Sequence, residues 1–179
     1  MMSFGFLCAP AIAQGTKGVN VDYGQERPLI KGFEMAISEA ISTTFPGPFG
    51  QVQKPKGVHL PGYGYAFMFG INIRRGLINT PFGAYPNDQE ITPEQKKQRI
   101  EGLKEKLVRL LFLQGSRLTL QRNETLAICA LFEETNPASP EENSNKTLIL
   151  SVTKSDLDEL ASKQERFNEL RQKVKIIEY

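Results

Sequence analysis

Residues 63–73 carry the pattern that most constrains the fold, an alternation of large and small side chains with a period of two. Only an extended strand places alternate residues on opposite faces, so this segment is predicted to be a strand with one strongly apolar face. The large positions are Tyr63, Tyr65, Phe67, Phe69, Ile71 and Ile73. The other positions are Gly64, Ala66, Met68, Gly70 and Asn72.

The small face of this strand contains two glycines, and a glycine inside a strand often marks the close approach of another backbone or of a ligand. We therefore expect a helix to lie tightly over the small face. The alternative is a small-ligand pocket that uses the aromatic strand. Such a pocket would be lined by Tyr63, Tyr65 and Phe67, with Arg74 near its mouth and Arg75 beside it.

Three segments have the apolar spacing of amphipathic helices, with apolar residues three and four positions apart. They are residues 31–44, 93–114 and 155–172. The second begins with a capping box, in which Thr92 is the cap, Pro93 suits the first helical position and Gln95 returns the hydrogen bond. The third is predicted to be capped at Ser155, with acidic residues in its first turn.

Further strands are predicted at residues 125–133, 146–153 and 173–179. The polar segment 134–145 joins the first two, which indicates an antiparallel hairpin with a long loop. Residues 51–61, which include a Lys-Pro-Lys-Gly run, are interpreted as a linker. The predicted fold class is therefore α+β, with an antiparallel sheet of three or four strands packed against about three helices.

The first 16 residues carry no charge, and an apolar run within them ends in Ala11-Ile12-Ala13. A small residue on either side of one other residue is typical of the end of a secretory signal peptide. We expect residues 1–13 to be a signal-peptide remnant whose true start lies upstream, residues 14–30 a loose leader, and residues 31–179 a single domain. The alternative is an apolar N-terminal strand. Export would place the protein in the periplasm or outside the cell.

The charge pattern argues against a nucleic-acid partner. Lys and Arg total 22 and Asp and Glu total 20, which gives a net charge of +2. The two signs are interleaved along the chain rather than clustered, as on a solvated helix face. No run approaches the 18 or more apolar residues of a membrane-spanning helix, so no membrane span is expected.

Few residues are suited to catalysis or to binding a metal. The chain has one histidine, His59, and two cysteines, of which Cys8 lies in the expected signal segment and Cys129 in an apolar run. One histidine and one thiol do not supply the four ligands of a structural zinc site. Nucleophile-elbow, zinc-protease and phosphate-loop motifs are also missing from the sequence. We expect no cofactor and no catalytic residue, and we interpret His59 as a loop histidine.

Aromatic residues on irregular backbone are the positive sign of an interface. Phe45, Phe49, Phe82 and Tyr85 lie in segments rich in proline and glycine. Exposed aromatic side chains are common anchors of protein interfaces. The alternative is that they pack locally over the core. Together with His59, Tyr63, Tyr65, Arg74 and Arg75, these four residues are the candidates for a partner interface or a ligand site.

Three motifs occur in a fixed order, and in that order they resemble a group of exported bacterial proteins of about this size. The motifs are Leu60-Pro-Gly-Tyr-Gly64, Thr153-Lys-Ser-Asp-Leu-Asp158 and Val174-Lys-Ile-Ile-Glu-Tyr179. The resemblance implies export and a single domain, and it supplies no activity, cofactor or site residue. We therefore expect a non-catalytic envelope protein that acts through an interface, as an accessory subunit whose partner is another envelope protein. A small-ligand-binding protein and an unrecognised envelope hydrolase are the alternatives.

Overall fold

The computed structural model describes residues 23–45, 51–73, 77–80, 83–86, 92–134, 144–161 and 167–179. The helices are α1 (Tyr23–Thr44), α2 (Pro93–Gly115), α3 (Lys154–Ala161) and α4 (Phe167–Lys173). The strands are β1 (Gln51–Leu60), β2 (Gly64–Asn72), β3 (Leu77–Thr80), β4 (Gly83–Pro86), β5 (Thr125–Glu134), β6 (Ser144–Thr153) and β7 (Lys175–Glu178).

The fold is α+β, built on a five-stranded mixed sheet. Its strand order is β1-β2-β5-β6-β7, and β3 and β4 form a separate two-stranded sheet. Strands β2 and β5 pair in parallel, whereas the other neighbouring strands are antiparallel. The prediction of a wholly antiparallel sheet is therefore wrong at its centre. A parallel pair needs a long crossover connection, and α2 lies in the connection between β2 and β5.

Strand β1 occupies the segment interpreted as a linker. Its Lys-Pro-Lys-Gly run is poor in strand-forming residues, which is why the sequence pattern did not predict it. The strand lies at the edge of the sheet, where a proline is tolerated because one side of the backbone needs no partner strand. Its register against β2 also shifts twice, between Gln51 and Gln53 and between Gln53 and Lys56.

The three predicted helices are present with altered limits. Helix α1 begins at Tyr23, inside the expected loose leader, and includes Pro28 in its second turn. Helix α2 has the predicted capping box, with Gln95 N donating to Thr92 Oγ1 over 3.3 Å, and it ends at Gly115. The last predicted helix is two helices, α3 and α4. The cap of α3 is Thr153 instead of Ser155, since Asp156 N donates to Thr153 Oγ1 over 3.2 Å.

The helices α1, α2 and α3 pack on one face of the sheet, and the core lies between them. The aromatic positions of β2 are filled core: Tyr65, Phe67 and Phe69 are at most 1% exposed. Phe67 stacks on Phe33 of α1 with ring centroids 4.3 Å apart. The same sheet face continues through β5 and β6 with Leu126, Ile128, Ala130, Phe132, Leu148, Leu150 and Val152.

The prediction of a helix over the small face of β2 is wrong for the described residues, because these helices lie over the aromatic face instead. Burying large side chains removes far more apolar area from water than burying glycine and alanine, so the helices pack on the aromatic face. Within the described ranges, no helix is both long and apolar enough to span a bilayer.

Candidate functional site

The sheet face opposite the helices carries several exposed apolar side chains, and we call it the open face. Strand register assigns its residues, because paired residues in neighbouring strands point to the same side. In β1 and β2 the open face comprises Gln53, Lys56, Val58, Leu60, Ala66, Met68, Gly70 and Asn72, and Val52 lies beside Gly70 where the register shifts. In β5, β6 and β7 it comprises Ala127, Cys129, Leu131, Glu133, Asn145, Thr147, Ile149, Ser151, Lys175 and Ile177.

Four large apolar side chains on the open face are half exposed to solvent. The exposed fractions are 55% for Val52, 48% for Val58 and 44% for Leu60 and Met68. Val58 pairs with Ala66, and Lys56 pairs with Met68 one step further along, so these side chains are neighbours. Neighbouring exposed apolar side chains of this kind make the face a candidate binding surface.

The centre of the open face mixes small and large side chains. Strands β2 and β5 are the second and third of the five strands, and they contribute Ala66, Gly70, Ala127 and Cys129 together with Met68 and Leu131. Cys129 is a free thiol at intermediate exposure, and burial raises its pKa. A raised pKa leaves little thiolate at neutral pH, so this cysteine is a slow nucleophile whose reaction with a thiol reagent depends on access to the open face.

The free edge of the sheet beside the open face is blocked against strand addition. Gly57 N, on the outer side of β1, donates to Glu34 Oε1 over 2.9 Å. Pro55 removes another backbone donor from the same strand. Burial would raise the pKa of Glu34, but the Gly57 N–H and the Lys31 ammonium outweigh it and leave the pKa lowered. A charged carboxylate therefore holds this edge, a common protection against edge pairing.

A second cluster of functional groups surrounds His59, which lies on β1 and not in a loop. His59 Nδ1 is 2.9 Å from Glu26 Oε2 on α1, and its Nε2 is 4.0 Å from Glu124 Oε1. The histidine side chain is 8% exposed and stacks on Tyr65 with ring centroids 4.4 Å apart. The interpretation of His59 as a surface loop residue is therefore wrong.

Some polar atoms of this cluster have hydrogen-bond partners and others have none. In the described part of the chain, His59 Nε2 and Tyr65 Oη are buried without a hydrogen-bond partner of good geometry. Burial, followed by the nearby charges of Glu26 and Glu124, raises the pKa of Tyr65 to about 12. Tyr65 thus stays a neutral phenol throughout the physiological range.

Glu124 has a structural task in this cluster. It is 2% exposed and accepts hydrogen bonds from Gln121 N at 2.8 Å and Gly62 N at 3.3 Å. These two donors belong to the turns before β5 and before β2, so the carboxylate ties together the ends of the parallel pair. Gly64 reinforces the junction, because its φ is +117° and a Cβ there would lie 2.1 Å from Thr125 O.

A cavity of about 380 Å³ lies between the first turns of α1 and strand β1. Its lining includes Glu26, Ile30, Glu34, Lys56 and His59. Glu26 and Glu34 are already engaged by His59 and Gly57. Among the described residues, no group of three or more His, Cys, Asp or Glu side chains is arranged to hold a metal ion.

The structure separates the candidate residues predicted from sequence. Phe45 is 3% exposed and Tyr65 is fully buried, so both belong to the core and cannot anchor a partner. The pocket expected beside Tyr65 and Phe67 is occupied by that core. Tyr63 is 48% exposed in the turn before β2. Phe49, Arg74, Arg75 and Phe82 lie outside the described residues, as does the side chain of Tyr85 in β4.

Sequence reasoning missed Glu26 and Glu124 because they are far from His59 along the chain. It also missed the open face, although one signal was present. The alternation of Lys56, Val58 and Leu60 continues the small-face pattern of β2 in a neighbouring segment. Comparisons with protein families, with curated proteins and with solved structures found no match to this chain.

Proposed function

We propose that this protein is an exported, non-catalytic protein of the cell envelope that docks another protein on its open face, as an accessory subunit of a larger assembly. The observation that carries the proposal is the cluster of Val52, Val58, Leu60 and Met68, four large apolar side chains exposed on one side of two neighbouring strands.

Covering the exposed apolar side chains of this face would favour association. Apolar surface removed from water is worth roughly 25 cal/mol per Å², and the costs of association are subtracted from that gain.

The protected edge supports docking on the face over pairing along the edge. A partner strand added beside β1 would have to displace Glu34 from Gly57 N and would meet Pro55, which has no N–H. At the other edge β7 is only four residues long, so it offers few backbone groups. Both features make strand addition unfavourable.

Support for export comes from the sequence. The charge-free run that ends in Ala11-Ile12-Ala13 has the form of a signal-peptide end, and the three motifs resemble those of exported proteins. The experiment for this part is the intact mass of the protein purified from its native cell. The proposal expects a chain that begins at Gln14, and a chain that retains Met1 would refute export.

A matched pair of methionines tests the interface. Met68 lies on the open face at 44% exposure, whereas Met35 lies on α1 at 72% exposure. Tagged wild type, Met68→Asp and Met35→Asp would be purified from the native cell, with circular dichroism to verify folding. We expect a stoichiometric partner with wild type and Met35→Asp but not with Met68→Asp. Equal recovery of that partner with both variants would refute docking on the open face.

A small-ligand-binding function is the second candidate, and the cavity beside α1 favours it. The cavity has room for a small organic molecule, and the hydrogen-bonded pair of Glu26 and His59 lies in its wall. Its described lining residues include no Ser, Thr or Cys, so binding is a better match than hydrolysis by a hydroxyl or thiol nucleophile. Ligand-observed NMR with a fragment library, comparing wild type with Ile30→Trp, tests this candidate: hits lost on filling the cavity would support it.

A further inference from the structure

We infer that a cavity between α1 and α2 binds a small hydrophilic molecule that carries a phosphate group. The inference goes beyond the proposed function, because this cavity lies among the helices and shares no residue with the open face. It follows from the charges that line the cavity, from an arginine that has no acceptor, and from the space beside a glycine.

The lining of this cavity is cationic and polar. The cavity has a volume of about 330 Å³ and lies where the last turn of α1 meets the first half of α2. Arg99 and Lys106 are its charged residues, and no Asp or Glu is among the described residues that line it. Its other side chains belong to Thr43, Thr44, Gln95 and Gln98. The two cations and the glutamine amides are hydrogen-bond donors, which suits an anion.

Four lining residues of α2 lie on one side of that helix, at spacings of four, three and four positions. They are Gln95, Arg99, Gly102 and Lys106. Residues at this spacing are neighbours on successive helical turns. The same side of α2 faces the end of α1, because Lys106 Nζ donates to Thr43 Oγ1 over 2.9 Å and to Thr44 Oγ1 over 3.0 Å. Two helices that are anchored in the core therefore hold the lining groups in place.

Arg99 is the residue that points most directly to a ligand. Its Nη1 is buried without a hydrogen-bond partner, and among the described residues its guanidinium forms no ion pair. Buried arginine nitrogens normally have a partner, and an exception calls for an explanation, of which a bound ion is one. Because Arg99 lines the cavity, an anion bound there would give the guanidinium its acceptor. A guanidinium matches the paired oxygens of phosphate and carboxylate groups.

Lys106 has a structural role that still leaves a donor for a ligand. Helix α1 has no basic residue in its last turn, and an ammonium group beside that turn offsets the negative end of the helix dipole. The hydroxyl groups of Thr43 and Thr44 accept two of the three ammonium N–H groups. The third N–H is available to an anion in the cavity.

Gly102 leaves space between the two cations. A glycine inside a helix is less stable than an alanine would be. A Cβ at Gly102 would meet nothing within 4 Å, so packing does not require a glycine at this position. The missing side chain keeps the middle of the cavity open between Arg99 and Lys106.

Charge and polarity together indicate the class of ligand. A phosphate monoester carries a charge of about −1.5 to −2 at neutral pH, which matches two cations better than the single charge of a carboxylate does. The volume is close to the lower limit of about 300 Å³ for small-molecule sites, so the molecule is small. None of the described lining residues has an apolar side chain, so the body of the molecule is hydrophilic, as in a phosphorylated polyol.

An NMR titration of the ¹⁵N-labelled full chain with glycerol 3-phosphate tests the inference. The readouts are the backbone N–H signal of Gly102 and the Nε–H signal of Arg99, which both report on the cavity. We expect saturable shifts of both signals with glycerol 3-phosphate, weaker binding of inorganic phosphate, and no shift with uncharged glycerol. Addition of 0.5 M NaCl should weaken the binding, because salt screens the attraction between the charges.

Matched variants separate this site from a general attraction of anions to the helix. Arg99→Gln removes the guanidinium, whereas Lys97→Gln removes an exposed lysine of α2 that does not line the cavity. Arg99→Gln should lower the affinity for glycerol 3-phosphate about tenfold, since it loses charge-assisted hydrogen bonds, and Lys97→Gln less than about twofold. Gly102→Leu keeps both cations and introduces a better helix former, so it should fold, yet its side chain fills the cavity and should also weaken binding about tenfold.

Four results would overturn the inference. The first is a Gly102 signal in the wild type that glycerol 3-phosphate does not shift to saturation. The second is equal loss of affinity in Arg99→Gln and Lys97→Gln. The third is unchanged affinity in Gly102→Leu with circular dichroism like that of the wild type. The fourth is tighter binding of inorganic phosphate or of succinate, a dicarboxylate. None of these results bears on the open face, which is tested separately through Met68→Asp.

Discussion

Replacing Glu124 tests the claim that this buried carboxylate joins the turns at the start of the parallel pair. In Glu124→Ala the N–H groups of Gln121 and Gly62 lose their acceptor. Gln121 and Gly62 are exposed turn residues, so their N–H groups can bond water instead, and each lost hydrogen bond costs about 0.5–1.5 kcal/mol. The truncated side chain also leaves a small cavity, so we expect Glu124→Ala to lose roughly 1–3 kcal/mol of the 5–15 kcal/mol typical of a domain.

The matched variants isolate the hydrogen bonds from the charge. Glu124→Gln keeps one carbonyl oxygen, which can serve one donor, so we expect it to lose about half as much as Glu124→Ala. Glu105 lies on the exposed side of α2, and Glu105→Gln should stay within about 0.5 kcal/mol of wild type.

Urea unfolding followed by far-UV circular dichroism measures the three free energies. The m-value, which is the slope of the unfolding free energy against urea concentration, must be the same in all variants for the comparison to report stability alone. If Glu124→Ala unfolds within 0.5 kcal/mol of wild type at the same m-value, the structural role assigned to this carboxylate is wrong.

Three further predictions use the same unfolding assay or a pH titration. Gly64→Ala should lower the free energy of unfolding by more than about 3 kcal/mol, and Gly62→Ala by roughly 1 kcal/mol. Both glycines have positive φ, but only at Gly64 would a Cβ contact Thr125 O. Equal losses in the two variants would contradict this. Glu34 has a lowered pKa in the folded state, so its contribution is fully present above its ordinary pKa of 4.5 and is lost as the pH falls through the lowered folded value. Glu34→Gln should therefore be less stable than wild type at pH 7 and converge with it in acid, and a constant gap between the two curves would disprove the effect. Absorbance titration should find one tyrosine ionising at a pKa of about 12, absent in Tyr65→Phe, whose stability should stay within about 1 kcal/mol of wild type.

Local signals in the sequence predicted the elements that have strong start and stop residues. Helix α2 was predicted to within one residue, because its capping box is complete in the sequence and its apolar spacing is regular. Strand β2 follows from its period of two, and the β5–β6 hairpin from two apolar runs around a polar loop. In each case the information lies within about 25 neighbouring residues.

Contacts between distant segments could not be predicted in this way. The parallel pairing of β2 with β5 depends on packing around α2, and no local pattern distinguishes it from an antiparallel pair. Strand β1 is held by its pairing with β2 and by Glu34, despite its weak strand propensity. The partners of His59, on α1 and before β5, likewise come together only in the folded chain.

The reactivity of Cys129 tests the central claim most directly, because this thiol lies on the strand at the middle of the open face. Its rate of reaction with maleimide would be measured in native cell extract and in the purified chain beginning at Gln14, by mass spectrometry of the peptide that contains it. The account predicts at least tenfold slower labelling in the extract, where a partner covers the face. The same rate in the extract and in the isolated chain would contradict the account.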